Sequence, residues 1–140
     1  MDTLHSAEKK YELTVTRETG GVANVSAHGV SLHLSMNGND PTLGFTAPET
    51  VLAGYGACLM TNLGKAAQAM GIKIDDVRIE LAATKRDEPL GLKDLRCKIT
   101  VKSGAPEERV RSLFETATTD GTATNAIHEG FRAAFELARE

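Results

Sequence analysis

The sequence lacks tryptophan, has few aromatic residues and carries no excess of basic charge. Its 140 residues include two Tyr, four Phe and no Trp, which is little material for the stacking platforms that bind single-stranded nucleic acid. Lys and Arg number 16 against 19 Asp and Glu, for a net charge of −3. Because a nucleic-acid-binding surface needs clustered basic side chains, we expect no nucleic-acid partner.

Long apolar runs are also missing. The first ten residues are polar and lack the basic and apolar regions of a secretory signal. The least polar run, residues 50–63, is too short and too rich in glycine to cross a bilayer. We therefore expect a cytoplasmic protein with no membrane partner. In that compartment the two cysteines, Cys58 and Cys97, are expected to be thiols, and a bond between them is the only intramolecular disulfide available.

No motif for a metal or a cofactor is present, so we expect neither. The segment 20–21 is too short for a phosphate-binding loop, and no serine nucleophile elbow occurs. A zinc site would need regularly spaced ligands. The histidines show no such spacing with one another or with the cysteines; they are His5, His28, His33 and His128.

Alternation of apolar and polar residues predicts five strands. Three of them form an antiparallel meander near the start of the chain, with turns at 19–21 and 28–29, and two form a hairpin whose loop is residues 85–91. The five predicted strands cover residues 11–17, 22–27, 30–36, 74–84 and 95–101.

Helical spacing predicts one long helix and two shorter ones. The long helix begins near Thr46, where residues 46–49 match a capping box: the threonine hydroxyl would accept from an amide and Glu49 would reach back. It ends at Gly71. Its three interior glycines each cost about 1 kcal/mol relative to alanine, so we expect another backbone to approach there and the helix to be central and buried; they are Gly54, Gly56 and Gly64. The first of the shorter helices begins at Pro106. After an interruption at residues 120–121, a C-terminal amphipathic helix is expected, marked by an apolar stripe from Ile127 to Ala138.

The predicted order is therefore βββ-α-ββ-α-α, in blocks rather than in strict alternation. This order favours an α+β fold with antiparallel sheets around the long helix. The length suits one domain covering residues 1–140.

Two cysteines and two charged residues are candidates for chemistry. Cys58 lies on the long helix, either as a small buried side chain or as a nucleophile, which requires a thiolate held by a cation or hydrogen-bond donors. Cys97 falls on the apolar face of its strand and is expected to be structural unless it faces Cys58. Glu49 is either a cap or a site residue. Arg17, at the end of the first strand, is either solvated or a cation near the core edge.

Residues 48–59, which run from Pro-Glu through small and apolar residues to Ala-Cys, resemble the helix motif of the OsmC/Ohr family, the osmotically induced and organic hydroperoxide resistance proteins. The downstream order of strands and helices is also similar. The resemblance implies an intertwined homodimer with Cys58 at the subunit interface. It further implies that Cys58 is the peroxidatic cysteine, activated by an arginine that Glu49 positions, and that the sulfenic acid formed is converted to a disulfide by a second cysteine.

The chain departs from the family pattern at two places. Gly121 stands where the family has its second cysteine, so the disulfide step is missing in its usual form. Arg17 is the nearest match to the family arginine, but it lies a few residues out of register.

Three hypotheses follow. The chain is a one-Cys peroxide reductase that uses an external thiol as reductant, with Cys58, Glu49 and Arg17 as catalytic residues. Alternatively, it is a non-peroxidatic dimer that binds a small apolar or thiol-reactive ligand in an interface cleft. Otherwise, it is a structural dimer in which Cys58 is inert.

Overall fold

The computed structural model describes residues 8–140, so His5 and the polar segment that precedes residue 8 lie outside the described residues. The elements follow the predicted order βββ-α-ββ-α-α, which confirms the α+β class. Contacts divide the chain into two compact units, one ending at Thr50 and the other covering Val51–Glu140. None of the helices within the described part of the chain is long and apolar enough to span a membrane.

The unit that ends at Thr50 contains the predicted meander. Its strands, in spatial order β1-β2-β3 and antiparallel throughout, are β1 (Thr14–Arg17), β2 (Val22–Ala27) and β3 (Val30–Ser35). The β2–β3 turn holds His28 and Gly29 at φ of 39° and 84°, the left-handed values that tight hairpins require. Strand β1 is shorter than predicted, because its pairing with β2 begins only at Thr14, and Tyr11 and Leu13 lie exposed before it.

The long helix α1 (Ala47–Met70) has the predicted length and ends. At its start the Glu49 carboxylate accepts from the Thr46 amide and from the Thr46 hydroxyl, each at 2.9 Å. Half of the expected capping box is therefore present, whereas the threonine hydroxyl donates to the carboxylate instead of accepting from an amide. At its end Gly71 has a φ of 68°, and the next amide, of Ile72, donates back to the Ala67 carbonyl at 2.9 Å.

The core of the unit Val51–Glu140 lies between one face of α1 and helix α2 (Glu107–Thr119). Leu63 and Leu113 are the largest fully buried side chains. The buried residues of this core are Leu63, Ala66, Ala67, Ile72, Leu113 and Ala117.

The expectation that another backbone approaches the glycines of α1 is wrong within the described chain. A methyl group built on Gly56 would lie 2.9 Å from the side chain of Leu81, which is not backbone, and one built on Gly54 or Gly64 would meet nothing within 4 Å among the described residues. Residues 8–140 bury only one side of α1.

The predicted hairpin is longer than expected. Strands β4 (Asp76–Asp87) and β5 (Leu90–Lys102) pair in an antiparallel register almost to the turn, so residues 85–87 and 90–91, predicted as loop, belong to the strands. Cys97 pairs with Leu81, and it is exposed. The prediction that Cys97 packs in the core is therefore wrong within the described residues, because β5 contacts the core cluster through Ile99 and not through Cys97.

The last helix, α3 (Thr122–Glu129), is shorter than predicted. Gly130, at a φ of 75°, ends it by donating its amide to the Ala126 carbonyl. Residues 131–140 form no helix, and Phe131, Phe135 and Leu137 are exposed. The apolar stripe predicted up to Ala138 thus ends near Ile127, since a short amphipathic helix needs a surface to pack on and these side chains have none in the described residues.

Candidate active site

Cys58 lies on α1 opposite the first turn of α3. It is half-buried. Helix α3 begins at Thr122 directly after Gly121, whose φ of −168° is ordinary extended backbone. The first amides of a helix have no partner within it, and here the amides of Thr122, Ala123 and Thr124 are directed at the Cys58 sulfur.

These donors decide the protonation state of Cys58. Burial is the largest single influence and raises the pKa of the thiol, because it disfavours the charged form. Hydrogen bonds from the backbone amides of Thr124 and Ala123, from the Thr124 hydroxyl and from the Thr122 amide act in the opposite direction. Together they outweigh burial, so the pKa of Cys58 lies below its usual value. Within the unit Val51–Glu140, the thiolate is favoured by amides and a hydroxyl rather than by a cation.

Because Gly121 has no side chain, the Cys58 sulfur can lie close to the backbone at this position. A methyl group built on it would lie 2.7 Å from Cys58 Sγ and 2.7 Å from Asn62 Nδ2. The Asn62 amide group donates to the carbonyl of Asp120 at 2.6 Å and lies 3.9 Å from Cys58 Sγ. Asn62 therefore fixes the segment before α3 against α1, one helical turn beyond the cysteine.

Tyr55 and His128 form a polar pair one turn before Cys58. The Tyr55 hydroxyl is 2.8 Å from His128 Nε2, and the two rings meet edge to face with centroids 5.5 Å apart. Burial is the main reason why the pKa of Tyr55 is raised, and the negative charges of the Cys97 and Cys58 thiolates add to the effect.

This pair stands at the edge of a mainly apolar cavity of about 250 Å³. The cavity lies between α1, the β4–β5 hairpin and the end of α3. Its lining consists of Val51, Leu52, Tyr55, Ala83, Leu92, Lys93, Asp94, Leu95, Ile127 and His128.

The predicted site residues fall in both units. Cys58 has the donors that the nucleophile hypothesis requires. Cys97 has none, and partial burial of its sulfur raises the pKa of that thiol. Glu49, in the unit that ends at Thr50, has its pKa lowered by hydrogen bonds from the Thr46 amide and then the Thr46 hydroxyl. Arg17, in the same unit, is exposed at the end of β1. The catalytic roles of Cys58, Glu49 and Arg17 stay predictions.

Sequence reasoning missed Tyr55, Asn62, His128 and the amides of α3. Helical spacing could have found the first two, because positions three before and four after Cys58 share its face of the helix. His128 and the α3 amides carry no such local signal, since they come together with Cys58 only in the fold. Among residues 8–140, no group of three or more His, Cys, Asp or Glu is placed to hold a metal ion.

Comparison with known proteins places this fold among characterised architectures. The sequence model of the family described as OsmC-like protein matches residues 36–136, which is more than half of the chain. None of the functionally curated proteins matches the sequence.

Three solved structures resemble the chain. The OsmC-like protein from Mycoplasma pneumoniae has a TM-score of 0.81 at 17% identity, over 89% of this chain and 91% of that one. The organic hydroperoxide resistance protein OhrB of Bacillus subtilis has a TM-score of 0.53 at 22% identity, over 76% and 83%. An OsmC-like hydroperoxide resistance protein from Jannaschia sp. CCS1 has a TM-score of 0.54 at 17% identity, over 87% and 88%. At these identities the likeness shows the fold.

Proposed function

The chain belongs to the OsmC-like protein family, and we propose that it is a thiol-dependent peroxide reductase of the one-Cys type that acts on organic hydroperoxides in oxidative stress defence. The observation that carries this proposal is the set of donors on Cys58: three backbone amides and a hydroxyl lower the pKa of a half-buried thiol. Two of the similar structures bear the name of hydroperoxide resistance proteins, which supports the choice of substrate class.

The proposed reaction begins with the Cys58 thiolate. Its sulfur attacks the terminal oxygen of the hydroperoxide, the O–O bond breaks, and an alkoxide leaves while the cysteine becomes a sulfenic acid. Because Gly121 stands at the family's second cysteine, an external thiol completes the cycle. It condenses with the sulfenic acid, releasing water, and a further thiol reduces the mixed disulfide. The protein is proposed to act as a cytoplasmic homodimer without a cofactor.

Glu49 and Arg17 keep their predicted roles as part of the proposal. Arg17 would favour the thiolate and Glu49 would position that arginine. Glu49→Gln and Arg17→Lys should each slow the reaction of Cys58 with a hydroperoxide, and unchanged rates in both variants would remove these two residues from the site.

The direct test is hydroperoxide consumption by the two single-cysteine variants. With cumene hydroperoxide and dithiothreitol, Cys58→Ser should abolish turnover, because the reacting sulfur is gone. Cys97→Ser should retain nearly all of it, because the raised pKa of Cys97 makes that thiol a poor nucleophile.

The pair of variants is a matched control, since each removes one sulfur. Equal loss in both variants would make Cys97 the resolving thiol and contradict the one-Cys mechanism. No consumption by the wild-type protein, with Cys58 unreactive toward alkylating agents, would leave the structural hypothesis.

The apolar cavity supports a second candidate, in which the chain binds a small apolar or thiol-reactive ligand without reducing peroxides. Its walls come from four elements and are mainly aliphatic, with few polar groups, as in small-molecule sites. This alternative predicts saturable binding of an apolar fluorescent probe that Leu95→Glu removes, together with no peroxide turnover. Peroxide turnover by the wild-type protein would contradict it.

A further inference from the structure

The Tyr55–His128 pair is built into the site from two helices. Tyr55 lies on α1 and His128 on the last turn of α3, and their 2.8 Å hydrogen bond joins residues 73 positions apart in the chain. The rings also contact edge to face, an arrangement that holds both side chains. The pair thus places two hydrogen-bonded polar side chains at the edge of a mainly apolar cavity.

The position of Tyr55 relative to Cys58 indicates a role for the pair. Tyr55 and Cys58 are three residues apart on α1, so they share one face of the helix. The charge of Cys58 reaches the Tyr55 hydroxyl, where it contributes to the raised pKa of the tyrosine. Tyr55 lines the apolar cavity, so a ligand bound there contacts α1 one turn before Cys58, on the side of the helix that faces α3.

Attack of a thiolate on an alkyl hydroperoxide needs a proton. The products are the sulfenic acid and an alkoxide, which is a far stronger base than phenolate, so that a phenol protonates it readily. We propose that Tyr55, held by His128, donates this proton to the leaving alkoxide. This inference rests on the proposed peroxide reductase function and deepens it.

The proton inventory balances with one proton that the pair takes back from solvent. The sulfur gains the terminal oxygen and its hydrogen, and the O–O bonding electrons leave with the alkoxide. The alkoxide takes the Tyr55 proton and departs as an alcohol. The tyrosinate that remains accepts a hydrogen bond from His128 Nε2 in the tautomer that carries its proton there, and a proton from solvent restores the phenol.

The electrostatics keep the tyrosine protonated until it is needed. Burial and then the charges of Cys97 and Cys58 raise its pKa, so Tyr55 does not ionise while Cys58 is a thiolate. The remaining charged groups on the cavity are Lys93 and Asp94 of β5. Lys93 is the alternative proton donor, and the test therefore includes it.

The test compares two oxidants that differ in their leaving groups. Cumene hydroperoxide expels a strongly basic alkoxide, whereas peracetic acid expels acetate, which needs no proton. In single-turnover oxidation of Cys58, Tyr55→Phe should slow the reaction with cumene hydroperoxide about 100-fold, the lower end for general acid catalysis. The rate with peracetic acid and the rate of alkylation by iodoacetamide should stay within about threefold.

Four further variants complete the test. His128→Gln keeps a hydrogen-bonding side chain without an imidazole, and it should show a smaller loss confined to cumene hydroperoxide. Tyr11→Phe changes the other tyrosine, which is exposed, His33→Gln changes an exposed histidine of β3, and Lys93→Met removes the ammonium group. These three should leave the ratio of the two oxidation rates unchanged.

The outcomes separate this inference from the function on which it rests. A wild-type protein that forms no sulfenic acid with either oxidant contradicts the peroxide reductase. If the wild-type protein reacts, and Tyr55→Phe slows its reactions with both oxidants equally or slows neither, the proton transfer from Tyr55 is contradicted. The peroxide reductase function is not affected by that result. A selective loss in Lys93→Met, with none in Tyr55→Phe, also overturns it.

Discussion

The pKa values of the two cysteine thiols are shifted in opposite directions. Burial raises the pKa of the half-buried Cys58 thiol, and partial shielding of the sulfur does the same at Cys97, although that residue as a whole is exposed. At Cys58 the amides of α3 and the Thr124 hydroxyl reverse the effect, whereas at Cys97 no residue of the described range offsets it and the pKa is raised. Because the thiolate is the reactive form, hydrogen-bond donors rather than exposure decide which cysteine is the nucleophile.

Position 121 offers a test of this geometry at the scale of one residue. A methyl group built on Gly121 would lie 2.7 Å from Cys58 Sγ, which puts a sulfur carried by that carbon within reach of the Cys58 sulfur. We expect Gly121→Cys to form a disulfide with Cys58 on mild oxidation. The bond should block alkylation of Cys58 until a reductant is added, as peptide mass spectrometry would show.

Gly104→Cys is the matched control, because a methyl group built there meets nothing within 4 Å. It adds a thiol without a neighbour and should leave Cys58 free to react. A Gly121→Cys protein in which Cys58 stays fully alkylatable after oxidation would show that α3 does not begin where the structure has it.

Among the elements, those with strong local signals were predicted well. Strand β2 begins and ends at the predicted residues, since turns bound it on both sides. Helix α1 does so as well, because Glu49 and Gly71 act on the backbone beside them. The face of α1 that is buried could not be predicted from the sequence, because nothing beside Gly54 and Gly64 in the sequence indicates that a side chain there would meet no described atom.

Elements whose limits depend on distant partners were predicted less well. Strands β4 and β5 continue through a predicted loop because they pair with each other to Asp87 and Leu90. Helix α3 ends at Glu129 although its apolar pattern continues, because the pattern alone does not supply a surface to pack on. The same difference holds for the candidate site. Cys58 could be predicted from its motif, whereas the amides that lower its pKa could not, because they lie on another helix.

At the scale of the molecule, apolar side chains remain exposed in both units. In the unit that ends at Thr50 they include Leu13 and Val30, and in the unit from Val51 they include Met60 and Phe114. Exposed apolar side chains in such number are typical of an interaction surface, which supports the proposed homodimer. Sedimentation at micromolar concentration should give twice the 14.9 kDa mass of one chain.

High salt should not dissociate such a dimer, because apolar contacts are not screened by ions as charge pairs are. A mass of one chain at every concentration would contradict the dimer without affecting the chemistry proposed for Cys58, whose donors all belong to the same chain.

The central claim is that the start of α3 lowers the pKa of the Cys58 thiol and so favours the thiolate. The most direct measurement is the rate of iodoacetamide alkylation of Cys58 against pH, in the Cys97→Ser background so that one thiol is followed. The account predicts a midpoint below the ordinary thiol pKa of about 8.5. A midpoint at or above that value, or no labelling of the folded protein, would contradict it.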